Sequence, residues 1–123
     1  MSDSATISES AATQTEVDGE PLWIAETIAV TNSAGFVMSF RVENDKGKFS
    51  PRTDNYPIGQ TERIDLKKTD IAPESKVWPV VNAIFGKTES AKTHILYRPN
   101  GVTASYIVTG TTLNYSIEFV GVK

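Results

Sequence analysis

The stretch GFVMSFRVE, Gly35 to Glu43, sets the terms for the whole chain. Phe36, Met38, Phe40 and Val42 stand at every second position, with Val37, Ser39, Arg41 and Glu43 between them. A period of two is that of a β-strand, whose side chains alternate between faces; a helix would scatter those four apolar residues around its circumference. TLNYSIEFV repeats the pattern, with Leu113, Tyr115, Ile117 and Phe119 against Asn114, Ser116 and Glu118. No segment carries a long helical period with caps, and DIAPESK has room for a single helical turn.

VWPVVNAIF differs, because Val77, Val81, Ala83 and Phe85 alternate with Trp78, Val80 and Ile84. Both faces are apolar, so a strand buried on both sides is expected. Pro79 has no N–H and belongs at an edge or bulge, which places it near the start of that strand. Further strands are expected at Trp23–Thr31, Lys48–Ser50, Thr61–Leu66, Lys92–Arg98 and Thr103–Val108. Between them, NSAG and NDKG end in glycine, which supplies the positive φ that closes a short turn. YPIG fits a type I turn with Pro57 second. The expectation is an all-β fold: one antiparallel β-sandwich of seven or eight strands.

If each strand crosses once, the loops fall alternately at two ends. Asn32–Gly35, Thr53–Gln60, Gly86–Ala91 and Gly110–Thr111 then share one end, and Asn44–Gly47, Lys67–Lys76 and Pro99–Gly101 the other. The Asn-Gly pair at Asn100-Gly101 reads as a hairpin joining Lys92–Arg98 to Thr103–Val108. Pro99 favours a three-residue loop, which sets His94 opposite Tyr106; a two-residue turn would instead pair Ile95 with Tyr106. In that two-residue register Thr93, Ile95, Tyr97, Ala104, Tyr106 and Val108 form the core face, with His94, Leu96, Arg98 and Ile107 outside.

The 123 residues suffice for one domain, with the sandwich over 21–123. The first twenty residues carry five acids, no Lys or Arg and only scattered apolar side chains, the composition of a disordered tail. They have neither the basic start nor the apolar run of a secretory signal, and nothing in the chain approaches a membrane span. A soluble protein follows, cytoplasmic or exported without a cleaved signal peptide. Beyond the tail, ten acids face twelve bases, a balance of about +2 that is too small for a nucleic-acid surface.

Catalytic chemistry finds little purchase. There is no cysteine, hence no disulfide or thiolate. The one histidine, His94, sits mid-strand with no nucleophile elbow in the chain, and a single His without Cys makes a zinc site unusual. The acids are mostly solitary, unlike the facing pair of a glycosidase. Phosphate-cradling loops are absent. Glu43, Asn44, Asp45, Asp70, Glu74 and Asn100 gather calcium-type oxygens at one end, but lysines crowd them and no EF-hand spacing occurs. Asn114–Ser116 matches a glycosylation acceptor inside an expected strand. No metal, cofactor or enzymatic activity is expected.

The binding site most favoured by the residues is the Thr53–Gln60 loop. Asp54, Asn55 and Tyr56 stand beside a proline-stiffened turn, and the loop parity brings Thr88 and Glu89 alongside. An aromatic ring with neighbouring amide and carboxylate groups suits a sugar. The competing expectation is that Tyr56 lids the core while Asp54 and Asn55 form the turn. The architecture resembles the sandwich domains of lectins and of membrane-binding toxins, with no diagnostic motif. The function that follows is a non-enzymatic binding module for a glycan or a protein surface. A self-assembling structural protein, a homo-oligomer packed through sheet edges and outward Val37, Ile107 and Val120, is the alternative. A membrane-active toxin-like domain comes third, since the sequence shows no cluster of exposed aromatics.

Overall fold

The computed structural model describes residues 12–123, and all the regular structure there is β apart from one 3-10 turn at Leu66–Lys68. One sheet holds β1 (Gln14–Val17), β2 (Glu20–Ala25), β4 (Met38–Asn44), β6 (Lys76–Ala83), β7 (Thr88–Ser90) and β8 (Ile95–Tyr97). Its order is β1-β2-β8-β6-β4, with β7 also beside β6. The second sheet holds β3 (Thr27–Asn32), β5 (Thr61–Asp65), β9 (Thr103–Thr111) and β10 (Asn114–Val122), in the order β10-β9-β3-β5. Apolar residues of both sheets enter one core, among them Phe36, Met38, Phe40 and Val42, whose alternation was legible in the sequence.

The expected antiparallel sandwich of seven or eight strands is corrected in two respects. Ten strands are present among the described residues, and both sheets are mixed, because β2 pairs parallel to β8 and β3 parallel to β9. The cause lies in two places where the chain changes sheets. The run expected as one strand, Trp23–Thr31, breaks at Glu26: Trp23 and Ala25 face the core before it, Ile28 and Val30 after it. The core positions pass from odd to even numbers. The second change, at Arg98–Val102, has the same phase slip, from Ile95 and Tyr97 to Ala104, Tyr106 and Val108. The two crossings are tied together, with Glu26 N–H donating to Val102 O at 2.8 Å and Arg98 N–H to Ala25 O at 3.2 Å.

The Asn100-Gly101 segment is therefore no hairpin, and neither expected register occurs. β8 and β9 belong to different sheets, so Ile95 and His94 never pair with Tyr106. The core face is nevertheless the one the two-residue turn implied, with Ile95, Tyr97, Ala104, Tyr106 and Val108 inside, because alternation within each strand does not depend on the partner strand. Pro79 is also displaced, from the start of β6 to its middle, opposite Val42. Its carbonyl accepts from Ala91 N–H, so its nitrogen points to the same side, where the ladder passes from β8 at Val77 to β7 at Val80. The missing donor faces a gap between two short strands.

Part of the expected tail is structured. β1 pairs with β2 from Gln14↔Trp23 to Val17↔Glu20, and Ile24 N–H donates to Thr13 O at 2.7 Å. Ala12 and Val17 pack on a small second cluster of Leu22, Ile24 and Leu96 on the far face of the first sheet. The tight turn at Asp18-Gly19 and the apolar face of β2 order this segment despite its polar composition. The remainder of the expected tail, residues 1–11, lies outside the described residues.

On the same outer face His94 stacks on Trp78, with ring centroids 4.1 Å apart and planes at 21°. Partial burial, and then Lys76 nearby, hold its imidazole below the usual 6.5. No helix among the described residues is long and apolar enough to cross a membrane.

Three measurements check this description. Asn32 is fully buried, with its amide held by three hydrogen bonds, so Asn32→Ala should cost about 2–4 kcal/mol in a denaturant melt. Removing residues 1–17 should cost about 2 kcal/mol, because Leu22, Ile24 and Leu96 lose their cover; an unchanged melt would show that β1 contributes nothing. The single histidine gives one resolvable NMR titration, and its midpoint should fall below 6.5. A depressed pKa means the unfolded chain binds the proton more tightly. His94 should then subtract stability as pH falls from 6.5 toward its folded value, and His94→Gln should remove that slope.

Candidate functional site

The loops meet at two ends in the grouping that strand parity predicts. At the first end everything converges on Asn32, the last residue of β3. Its Oδ1 accepts from Ala34 N–H at 2.9 Å, while Nδ2 donates to Phe36 O at 2.7 Å and to Tyr56 O at 3.1 Å. Its main chain accepts from Gly59 N–H and donates to Gln60 O. One buried residue thus fixes the 33–36 and 56–60 loops together. The third and fourth loops join through Gly35 N–H to Gly110 O at 3.1 Å and Lys87 N–H to Thr112 O at 3.1 Å. Gly86 packs on Thr112 so closely that a Cβ would lie 2.5 Å from its carbonyl oxygen.

Three large apolar side chains project from this end. Ile58 is 61% exposed, Phe85 98% and Leu113 67%. Val37, at 40%, lies between the first two, its carbonyl accepting from Ile84 N–H while its neighbour Met38 pairs with Tyr56. Phe85 and Leu113 were both expected in the core. The strands end before them: Ala83 O accepts from Gly86 N–H to close a turn in which Phe85 takes φ 61°, and Thr112-Leu113 form the tip between Thr111 and Asn114. A bulky residue at positive φ is uncommon, and here it turns the ring into solvent. Their signal in the sequence was position: each apolar residue stands in a turn, two of them directly before a glycine. Alternation alone carried them on into the core.

The expected sugar site does not assemble. Asp54 and Asn55 are exposed, but Tyr56 is 1% exposed and its hydroxyl donates to Val30 O at 2.8 Å. Burial pushes that phenol well above its usual value, as for an interior tyrosine. Tyr56 is the lid on the core, so it presents no ring face to a ligand. Thr88 and Glu89 lie on β7, with β6 and β4 between them and Tyr56. Three strand spacings, about 14 Å, separate the two groups. Glu89 lines a different feature, a cleft of about 430 Å³ between β7 and β10 that Tyr115 and Glu118 also border. Tyr115 donates to Lys87 O at 2.7 Å, and burial raises its phenol to about 12.

At the opposite end four of the six calcium-type donors have other employment. Asn44 Oδ1 accepts from Lys46 and Lys48 N–H, and Glu43 pairs with Arg41. Glu74 forms a two-point pair with Arg98 that lowers its carboxyl pKa, and Asn100 Nδ2 donates to Ala12 O and Ile24 O. Among the described residues no three acids or histidines group around a common point.

No family model matches the chain, and no curated protein matches it. Solved structures do. A Gram-negative toxin is similar at 14% identity with a TM-score of 0.45, over 76% of this chain and 22% of that one. Wild-type pneumolysin gives 14% identity and 0.44, over 77% and 23%. A disulfide-locked intermedilysin mutant with human CD59 gives 13% and 0.44, over 79% and 24%. The chain spans less than a quarter of the length of these structures.

Proposed function

We propose that this chain is a non-enzymatic binding module that docks its apolar loop end on the surface of another protein. The carrying observation is the exposure of Ile58, Phe85 and Leu113 on three loops that one buried asparagine and two backbone bridges hold together. Leaving such side chains in water costs free energy that burial against a partner returns, on the order of 1–2 kcal/mol each. A rigid base lets that burial proceed without ordering loops first. The burial of Tyr56 takes away the ring on which a glycan site would rest, so the protein surface is the partner favoured. A second reading, docking on a lipid–water interface, draws support from the tips themselves. Each stands on its own loop with most of its surface in water, which suits a deformable partner.

A photo-crosslinking amino acid at position 85 should capture partner proteins that the same probe at Lys46, at the opposite end, does not. Adding Ile58→Ser and Leu113→Ser should reduce capture by about tenfold or more without changing the melt, since both side chains are already in water. Equal capture from both ends would sink the proposal. Co-flotation with lipid vesicles that depends on the same residues, with no protein captured, would replace it with the interfacial reading.

A further inference from the structure

We infer that the free edge of β10 pairs antiparallel with the same edge of a second copy of this chain, joining two four-stranded sheets into one continuous sheet. This is independent of the loop end, and it begins with the hydrogen bonds of the β9–β10 hairpin. A two-residue tip at Thr112-Leu113 makes Thr111 and Asn114 a hydrogen-bonded pair, so the bonded positions of β10 are Asn114, Ser116 and Glu118. The N–H and C=O groups of Tyr115, Ile117 and Phe119 then point away from β9. Among the described residues no strand pairs with that side.

Two of the other edges, β4 and β5, are handled differently. β4 is sealed by the loop after it: Ser50 and Thr53 hydroxyls accept from Val42 and Phe40 N–H, and their own N–H groups return to the same two carbonyls. β5 is short and carries Glu62, Arg63 and Asp65, the charges that discourage pairing. β10 has nine residues, one charged side chain and no proline. Its only irregularity is the bulge between Phe119 and Gly121, which bounds the pairing run at Phe119. Its inner face is also unfinished. Tyr115 is buried, but Ile117 and Phe119 point toward the core and stay only half-buried where the sheet stops.

A second copy completes both the ladder and that face. Centred on Ile117, an antiparallel pairing sets Ile117 against itself and Tyr115 against Phe119 of the second copy, an aromatic pair on the inner side. On the outer side Ser116 meets Glu118 of the second copy. No like charges oppose one another. A slip that centres the pair on Glu118 would set two carboxylates face to face, which is unfavourable. The strand is its own complement in the register centred on Ile117 and resists the slip centred on Glu118.

Sedimentation velocity on the full chain, from low micromolar to near-millimolar concentration, should show a monomer–dimer equilibrium. Ser116→Glu faces Glu118 of the second copy twice and should weaken the dimer by about tenfold or more. Ser116→Glu with Glu118→Lys replaces both repulsions by attractions and should restore it. Both positions are exposed, so the melts should match the parent. A parent chain that stays monomeric throughout, or a dimer indifferent to Ser116→Glu, would overturn the inference. So would a dimer that forms only after residues 1–11 are removed, because the chain's own N-terminal segment would then be the occupant.

Discussion

A buried primary amide must place two donors and an acceptor without help from water, and Asn32 divides them between two loops, Ala34 N–H and Phe36 O on one and Tyr56 O on the other. Leaving any of them unmatched costs about 1–3 kcal/mol, so the arrangement is held from every side at once. The residue sits at the end of β3, in the middle of the second sheet, and it reaches across to the loop that seals β4 in the first. The relative position of the two sheets at that end is thus set by a polar contact. The apolar core alone would tolerate some sliding.

The far end of β3 is set in another way. Two extended runs, 20–32 and 95–111, lie side by side, and both leave the first sheet for the second at the same level. Each bend turns its core-facing residues from odd to even positions. Neither could move alone, because Val102 O takes N–H groups from both Glu26 and Thr27. This paired switch is why both sheets are mixed.

The sequence revealed faces better than partners. Alternation identified Met38, Phe40, Val42, Val81, Tyr106 and Tyr115 as interior without knowledge of which strand lay next to which. Strand parity grouped the loops correctly at both ends, because a chain that changes sheets still travels in the same direction. Pairing was a different matter. Asn100-Gly101 carries hairpin chemistry, but with Val102 N–H bonded to Asn100 Oδ1 and Gly101 N–H to Glu26 it makes a local bend between sheets. Tyr56 shows the same gap at the candidate site. A tyrosine beside a proline turn reads equally as a binding ring or a lid, and only the hydrogen bond to Val30 O decides. The exposed tips were missed for the opposite reason, since Phe85 and Leu113 obey the alternation of strands that had already ended.

The twin crossing also bears on how the chain acquires its shape. β3 pairs with β9, bringing Thr27 to Thr103, while β2 brings Ile24 to Leu96. Most of the chain lies between the members of each pair. Contacts between such distant segments must be reached by closing a long loop before any of them is rewarded, and domains rich in them search slowly. The hairpin of β9 and β10 can form early, as a local unit, but it has nowhere to dock until β3 arrives. Until then the hairpin presents two open edges, one on each strand, and the interval before β3 pairs is when a newly made chain is most exposed to its neighbours.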